Sequence, residues 1–302
     1  MILEVCSNNM NVRTFPFLQE KISKGRCNAI RKFLTILGWC LLIGGFMAAI
    51  WFVSAPENQV TGPVTVVCMQ TEDDADASLL YQEGAAVLID TGEETDADHI
   101  LEVLEQYGVT RLDYLILSHP DADHIGGAMK ILSKIQVERV VQPYYPKENK
   151  RLKKLNEWLD EQGIPVIYPT RTRRLQAGGM RLLVYPPMEK KYNDSNNYSL
   201  GVLVQHNDVN LMFAGDALRK RSEELLSIDW PEISLYKVAH HGRANSASEK
   251  LFRALQPRYA VVTARSADEI IQEVAGELGT TLYYTAEGDQ VFVSDGIVLT
   301  PQ

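Results

Sequence analysis

The chain has 302 residues, 45% hydrophobic and 23% charged, a balance that excludes a disordered or fibrous protein and supplies enough apolar residues for a sizeable core. Six of its 30 basic and two of its 39 acidic residues precede position 56, so the remainder carries 24 basic against 37 acidic groups, a net charge of −13. A surface that acidic repels polyanions on average, and any nucleic-acid contact must be local.

In chain order the first feature is Phe33 to Val53, 21 residues without a charge. At about 1.5 Å per residue this run spans a bilayer core of roughly 30 Å, which predicts a transmembrane helix. A cleavable signal peptide carries an apolar region of only about 7–15 residues, so the run reads as an uncleaved signal anchor. Arg13, Lys21, Lys24, Arg26, Arg31 and Lys32 precede it, and the stretch just after it carries no Lys or Arg. The positive-inside rule therefore places the basic segment 1–32 in the cytoplasm and the rest outside the cell, as a single-pass protein of the cell membrane. Cys6, Cys27 and Cys40 lie in or before the run, leaving Cys68 alone beyond it. No disulfide can form within the outer part, and Cys68, in the apolar VTVVCM, reads as a small buried hydrophobe.

Residues 64–302 read as one domain, with no linker or repeat to divide them. Strand-like VTVVCM is followed by SLLYQ and AVLID, a hairpin through Glu83-Gly84, then by a helix over 96–108 with Ile100, Leu101, Leu104 and Tyr107 on one face. DYLILS, a helix over 125–134, RVVQP, a helix over 150–163, PVIYP and RLLVYP come next. The hairpin LGVLVQH/VNLMFAG, a helix over 218–227, LYKVAH, a helix over 246–256, YAVVTA, a helix over 268–278, TLYYT, QVFVS and IVLTP complete the chain. Hairpins interleaved with helical crossovers imply two mixed sheets rather than one doubly wound parallel sheet.

The run Leu112 to Leu117, apolar but for Asp113, opens onto Ser118-His119-Pro120-Asp121-Ala122-Asp123-His124-Ile125-Gly126-Gly127. Two of the six histidines and two aspartates thus leave one buried strand within six residues. Imidazole and carboxylate suit a borderline or hard divalent ion, and the two glycines allow a close approach to the strand. A solvated polar loop is the bland alternative. The pattern His-x-Asp-x-Asp-His-x-Gly-Gly resembles the metallo-β-lactamase fold hydrolases related to the outer domain of the ComEC/Rec2 competence proteins. That resemblance covers about residues 64–302 and implies an αββα sandwich of two mixed sheets flanked by helices, here preceded by one transmembrane helix.

The resemblance also implies a site. Asp90-Thr91-Gly92 ends a strand before the motif, as in the family, and Asn196-Asn197-Tyr198-Ser199 matches its Asn-Asn-x-Ser segment, making Asn197 and Ser199 substrate or outer-layer candidates. Asp216, after VNLMFAG, stands where the family places a carboxylate shared by two metals; a helix cap is its alternative. His240-His241-Gly242 matches a further motif, with the division of labour between the two imidazoles left open. The implied first metal position uses His119, Asp121 and Asp216. The second uses Asp123, His124 and the shared Asp216. Two departures stand out: Gln70 to Ser78 replaces the family's Gln-Gly-Asp, with Asp76-Ala77 fitting its end, and the late loop with a His-Pro pair is absent, Thr263 to Asp268 running straight into a helix. With no His after His241, the second position recruits His240 or His241. The expectation is one tightly held Zn²⁺ or Mn²⁺ and a second, weaker ion, with Asp123, His240 and His241 in catalytic roles.

The implied activity is hydrolysis of a phosphodiester, in DNA or an envelope polymer. A non-catalytic metal-binding or scaffolding domain, and a subunit of a DNA-uptake system that needs a protein partner, are the rival readings. Lys147, Lys150, Arg151, Lys153 and Lys154, with Arg171, Arg173 and Arg174, are either solvated faces or, if they flank the metal cleft, groups that position a polyanion.

Overall fold

The computed structural model describes residues 62–302, so the basic segment 1–32 and the membrane anchor read at 33–53 lie outside the described residues. Among the described residues no helix is long and apolar enough to cross a membrane. In chain order the elements are β1 (Val64–Cys68), β2 (Ser78–Gln82), β3 (Ala85–Ile89), α1 (Ala97–Gln106), β4 (Arg111–Leu112), β5 (Tyr114–Ile116), α2 (Ala122–Ile125), α3 (Ala128–Leu132), β6 (Gln136–Val137), β7 (Val140–Val141), α4 (Lys150–Glu161) and β8 (Val166–Ile167). They continue with β9 (Arg173–Ala177), β10 (Met180–Tyr185), β11 (Gly201–His206), β12 (Val209–Phe213), α5 (Arg219–Leu225), β13 (Leu235–Lys237), α6 (Ser248–Leu255), β14 (Tyr259–Val262), α7 (Glu269–Leu278), β15 (Thr281–Tyr284), β16 (Gln290–Ser294) and β17 (Leu299–Pro301).

The strands form two mixed sheets. One runs β17-β16-β1-β2-β3-β5-β7-β8, antiparallel as far as β3 and parallel from β3 onward. The other runs β15-β14-β13-β12-β11-β10-β9, parallel from β15 to β12 and antiparallel from β12 to β9. Successive side chains of a strand point to opposite faces, and here both faces are covered. Val66, Leu80, Val87 and Ile116 meet Leu182, Val202, Leu211 and Val261 between the sheets. Their neighbours Val67, Leu79, Leu88 and Leu115 pack outward on Ile100, Leu104, Ile131 and Leu155 of the first helical layer. On the far side Leu203, Met212 and Ala260 meet Leu251, Phe252 and Val274. Three apolar layers between four structural ones give the αββα sandwich. Cys68 is fully buried in the middle layer, where burial pushes its thiol up to about 12.

The helix expected over 125–134 is two short helices, α2 and α3, broken at Gly126-Gly127. A Cβ at Gly126 would lie 2.7 Å from the Glu93 backbone and one at Gly127 only 2.3 Å from the Thr91 carbonyl oxygen. The glycines thus let the metal-motif loop press onto the segment that follows β3. Strands β4, β6 and β9 leave no strand signal in the sequence, because two are two residues long and the third, RRLQA, looks polar. In β9 only Leu175 and Ala177 face inward, while Arg173, Arg174 and Gln176 are exposed.

Candidate metal centre

Every candidate side chain lies at one end of the two sheets. Asp90 follows β3, Ser118 to His124 follow β5, Asp216 follows β12, His240 and His241 follow β13, and Thr263 follows β14. Asp76 precedes β2, which is antiparallel to β3 and so begins at that same end. Asp90, His240 and His241 adopt φ of 60°, 52° and 53°, and Gly215 has 54°. Left-handed backbone at three non-glycine residues is costly and persists only where surrounding contacts impose it. His240 and His241 consequently diverge, His241 fully buried and His240 half-buried.

Asp123, His124, Asp216 and His241 each bring one donor atom into a group that spans less than 4.8 Å. His124 Nε2 lies 3.2 Å from Asp216 Oδ1 and 3.7 Å from Asp123 Oδ2. His241 Nε2 lies 3.2 Å from both Asp123 Oδ2 and Asp216 Oδ2. Behind them is an inner layer that fixes the imidazoles. His124 Nδ1 is 2.9 Å from Asp90 Oδ2, and His241 Nδ1 is 3.0 Å from Thr263 Oγ1 and 3.2 Å from Asp76 Oδ1. An imidazole whose Nδ1 faces a carboxylate presents Nε2 as a ligand. Asp90 is itself held by the Ser118 N–H, donating to its Oδ1 at 2.6 Å, and Asp76 accepts from Thr263 Oγ1 at 2.6 Å. The buried Lys237 ammonium donates to Asp76 Oδ2. Asp76, Asp90 and His124 also form a tight group, but Lys237 already supplies the cation there.

Electrostatics follow from four buried or half-buried carboxylates around two imidazoles. Burial alone would lower His124, yet Asp216, Asp90 and Asp76 outweigh it and hold the imidazole well above its ordinary value. His241 is likewise disfavoured by burial but raised to about 10 by Asp76 and Asp216. Asp216 resists burial through His124 and His241 and stays well below the carboxylate range. Asp76 does so through Lys237, His241 and His124. His240 moves the other way, lowered by burial and by its cationic neighbours His241, Arg243 and Lys237. The centre therefore attracts positive charge, and protons on two imidazoles partly supply it.

The donors fit a divalent ion. His124 Nε2, Asp216 Oδ1 and His119 Nε2 are buried without a hydrogen-bond partner, a costly state for polar atoms unless something else satisfies them. Two imidazole nitrogens and two carboxylates are borderline-to-hard ligands suited to Zn²⁺ or Mn²⁺.

The expected ligands are thus gathered unevenly. Asp123, His124 and Asp216 meet as expected for the second position, and His241 rather than His240 joins them. The first position, His119, Asp121 and Asp216, is not drawn into such a group. His119 Nε2 is 3.6 Å from Asp121 Oδ2, and that carboxylate oxygen accepts from Ser195 Oγ at 2.8 Å, turning Asp121 toward the 186–198 connection. Asn197 Oδ1 accepts the Arg221 N–H at 3.0 Å at the start of α5, and Ser199 Oγ accepts the Asp216 N–H at 3.0 Å. Both support Asp216 and its helix rather than face the open site. Lys237 is not among the residues expected from sequence, although a lysine inside apolar LYKVAH is a readable sign of a buried partner. Thr263 holds His241 from the place of the absent late loop.

The sequence profile described as the metallo-beta-lactamase superfamily matches residues 71–264. The chain is 29% identical over 167 residues to ComE operon protein 3 of Bacillus subtilis, covering 55% of this chain and 21% of that protein. It is 25% identical over 273 residues to Recombination protein 2 of Haemophilus influenzae, covering 86% and 31%. It therefore spans only about a fifth to a third of the length of these relatives. The metallo-β-lactamase fold protein YhfI from Bacillus subtilis superposes with a TM-score of 0.53 at 11% identity, over 77% of this chain and 100% of that one, a likeness of fold.

Proposed function

The chain belongs to the metallo-β-lactamase superfamily, and on that premise we propose that it is a membrane-anchored, outward-facing hydrolase that uses a divalent metal to cleave phosphodiester bonds. The observation that carries this reading is the Asp123–His124–Asp216–His241 group, three of its members buried, with His124 Nε2 and Asp216 Oδ1 only 3.2 Å apart and neither in hydrogen-bond geometry with any group. When bound, a divalent ion supplies Lewis-acid polarisation of a phosphoryl oxygen and a more acidic water. The four side chains hold it, while Asp90, Asp76 and Thr263 keep Nε2 of both imidazoles turned toward it. Asp123, 30% exposed, is the carboxylate of the group that reaches the open side, where it orients the attacking water. His240 is half-buried with an unpartnered Nδ1, and its lowered pKa leaves it neutral at pH 7, suited to hold or pass a proton at the leaving oxygen.

One observation favours a second reading. Thr263 stands where related hydrolases carry a metal-binding histidine loop, as in a partly degenerate domain that binds metal, scaffolds a partner or serves DNA uptake without catalysis. Elemental analysis of the purified full-length chain, paired with hydrolysis of bis(p-nitrophenyl) phosphate, separates the two. The hydrolase holds at least one equivalent of Zn²⁺ or Mn²⁺ and turns over, and Asp216→Asn loses both. Metal without turnover leaves the non-catalytic domain, and a chain with neither overturns both readings. For the anchor, protease added to intact cells degrades the 64–302 domain while residues 1–53 stay with the membrane; a protected domain would contradict the outward topology.

A further inference from the structure

The two metal positions implied by the centre are not equally free. In the Asp123–His124–Asp216–His241 group, His124 Nε2 and Asp216 Oδ1 are engaged in no hydrogen bond. At the neighbouring His119–Asp121–Asp216 position the imidazole is ready: Ser118 Oγ meets His119 Nδ1 at 3.1 Å, and the buried Nε2 has no partner. The carboxylate beside it is already occupied. Ser195 Oγ donates to Asp121 Oδ2 at 2.8 Å. The Asn196 amide lies between Asp121 and Asp216, one end 2.9 Å from Asp121 Oδ2 and the other 3.4 Å from Asp216 Oδ2. In the orientation that satisfies both ends of the amide, its NH2 group donates to Asp121 Oδ2 and, at 3.2 Å, to Asp194 Oδ1. Asp121 Oδ2 is also the oxygen that faces His119 Nε2 at 3.6 Å, so an ion that reaches both groups has to displace two donors.

Those donors are not what holds their own segment in place. The 186–198 connection is fastened by the Tyr192 hydroxyl, which donates to Glu224 and accepts the Glu189 N–H, and by the Tyr198 hydroxyl, which accepts the Tyr192 N–H at 2.9 Å. Backbone groups close the turn itself: the Ser195 carbonyl accepts the Tyr198 N–H at 2.9 Å, and Asp194 Oδ1 accepts the Asn196 N–H at 3.0 Å. Ser195 and Asn196 are only half-buried, so their side chains can turn toward solvent while the backbone stays fixed. A hydroxyl or an amide satisfies a carboxylate without offsetting its charge, whereas a divalent ion does both. The ion therefore displaces them, but only at a concentration that makes up for two hydrogen bonds to a charged acceptor.

We propose that Ser195 and Asn196 latch Asp121 against a second divalent ion, so that the centre fills in order: the Asp123–His124–Asp216–His241 group takes the first ion, and the His119–Asp121–Asp216 position takes another only after both side chains have turned away. The proposal rests on the metal-dependent reading of the centre. Calorimetric titration of the metal-free full-length chain with Mn²⁺, with free Mn²⁺ followed by electron paramagnetic resonance, tests it. The parent shows a tight binding event and a weak one. His241→Ala weakens the tight event, whereas His119→Ala abolishes the weak event and spares the tight one. Ser195→Ala/Asn196→Ala tightens the weak event about fivefold or more, because two hydrogen bonds to a charged acceptor no longer compete with the ion, and leaves the tight event unchanged. Asn196→Ala alone moves the weak event in the same direction by less. If Asn196→Ala loosens the weak event instead, the amide oxygen is a ligand and not a competitor, and the latch is overturned. Unchanged affinity in the double variant, loss of its native circular dichroism, or loss of the tight event in His119→Ala overturns it equally. A parent that takes up no ion overturns the centre and the latch together. Ordered filling in a chain that leaves bis(p-nitrophenyl) phosphate intact refutes the hydrolase and spares the latch; hydrolysis with an unshifted weak event in the double variant does the reverse.

Discussion

Replacing Lys237 with methionine tests the inner layer behind the metal ligands. The Lys237 side chain is 3% exposed and its Asp76 partner 5% exposed, so the substitution removes the nearest cation from a carboxylate that cannot reach water. Breaking a buried pair by deleting one partner costs about 3–5 kcal/mol. Here His241, 3.2 Å away, and His124, 3.7 Å away, still face Asp76, which puts the loss near the lower figure, about 3 kcal/mol. For a domain of this size that lowers Tm by roughly 6–12 °C. The assay is thermal unfolding of the metal-free chain followed by circular dichroism, with Asp76→Asn and the double variant completing a cycle. The double variant should be less destabilised than the two single losses added, because the pair is coupled. Added Zn²⁺ or Mn²⁺ should recover part of the Lys237→Met loss, since an ion bound only to the folded state stabilises it and the variant centre is one charge more negative. A fall below about 2 °C, or additive losses across the cycle, would refute the account of Lys237 as the compensating cation.

Three further outcomes follow from packing and burial. Gly127→Ala places a Cβ 2.3 Å from the Thr91 carbonyl, against backbone that cannot yield, and should destabilise by about 1–3 kcal/mol in urea unfolding, whereas Gly276→Ala, exposed in α7 with nothing within 4 Å, should stabilise by about 0.5–1 kcal/mol. Equal signs for the two would contradict the close approach at the metal loop. The Cys68 thiol, raised to about 12 by burial, should resist iodoacetamide at pH 8 in the folded chain and react once urea unfolds it, read by mass spectrometry of its peptide; rapid alkylation of the folded chain would place Cys68 outside the core. Arg221→Met removes a fully buried guanidinium that donates to the Ser199 and Tyr185 carbonyls and to Glu224, and should cost about 3–5 kcal/mol, with metal affinity falling too because Ser199 holds Asp216. An unchanged Tm would show that the network is not needed.

The sequence by itself determined much of this domain. Short, nearly continuous apolar runs with turn residues between them located most strands, and 3.6-residue periodicity located the long helices, because burial on both faces of a strand and on one face of a helix imposes those patterns. The run from His119 to Gly127 was legible as a metal motif because a solvated loop has no physical need to crowd imidazoles and carboxylates at the end of a buried strand, whereas a bound cation does. What only the tertiary structure decided are the partnerships between residues remote in the chain. Nothing local says that Asp76 faces Lys237 across 161 positions, or that Thr263 turns toward His241. The strand register and the left-handed backbone at His240 and His241 bring these together, and that register also chooses His241 over His240 and turns Asp121 toward Ser195. Residue type and spacing report what a segment buries, whereas which distant groups share a site is set by how the layers stack.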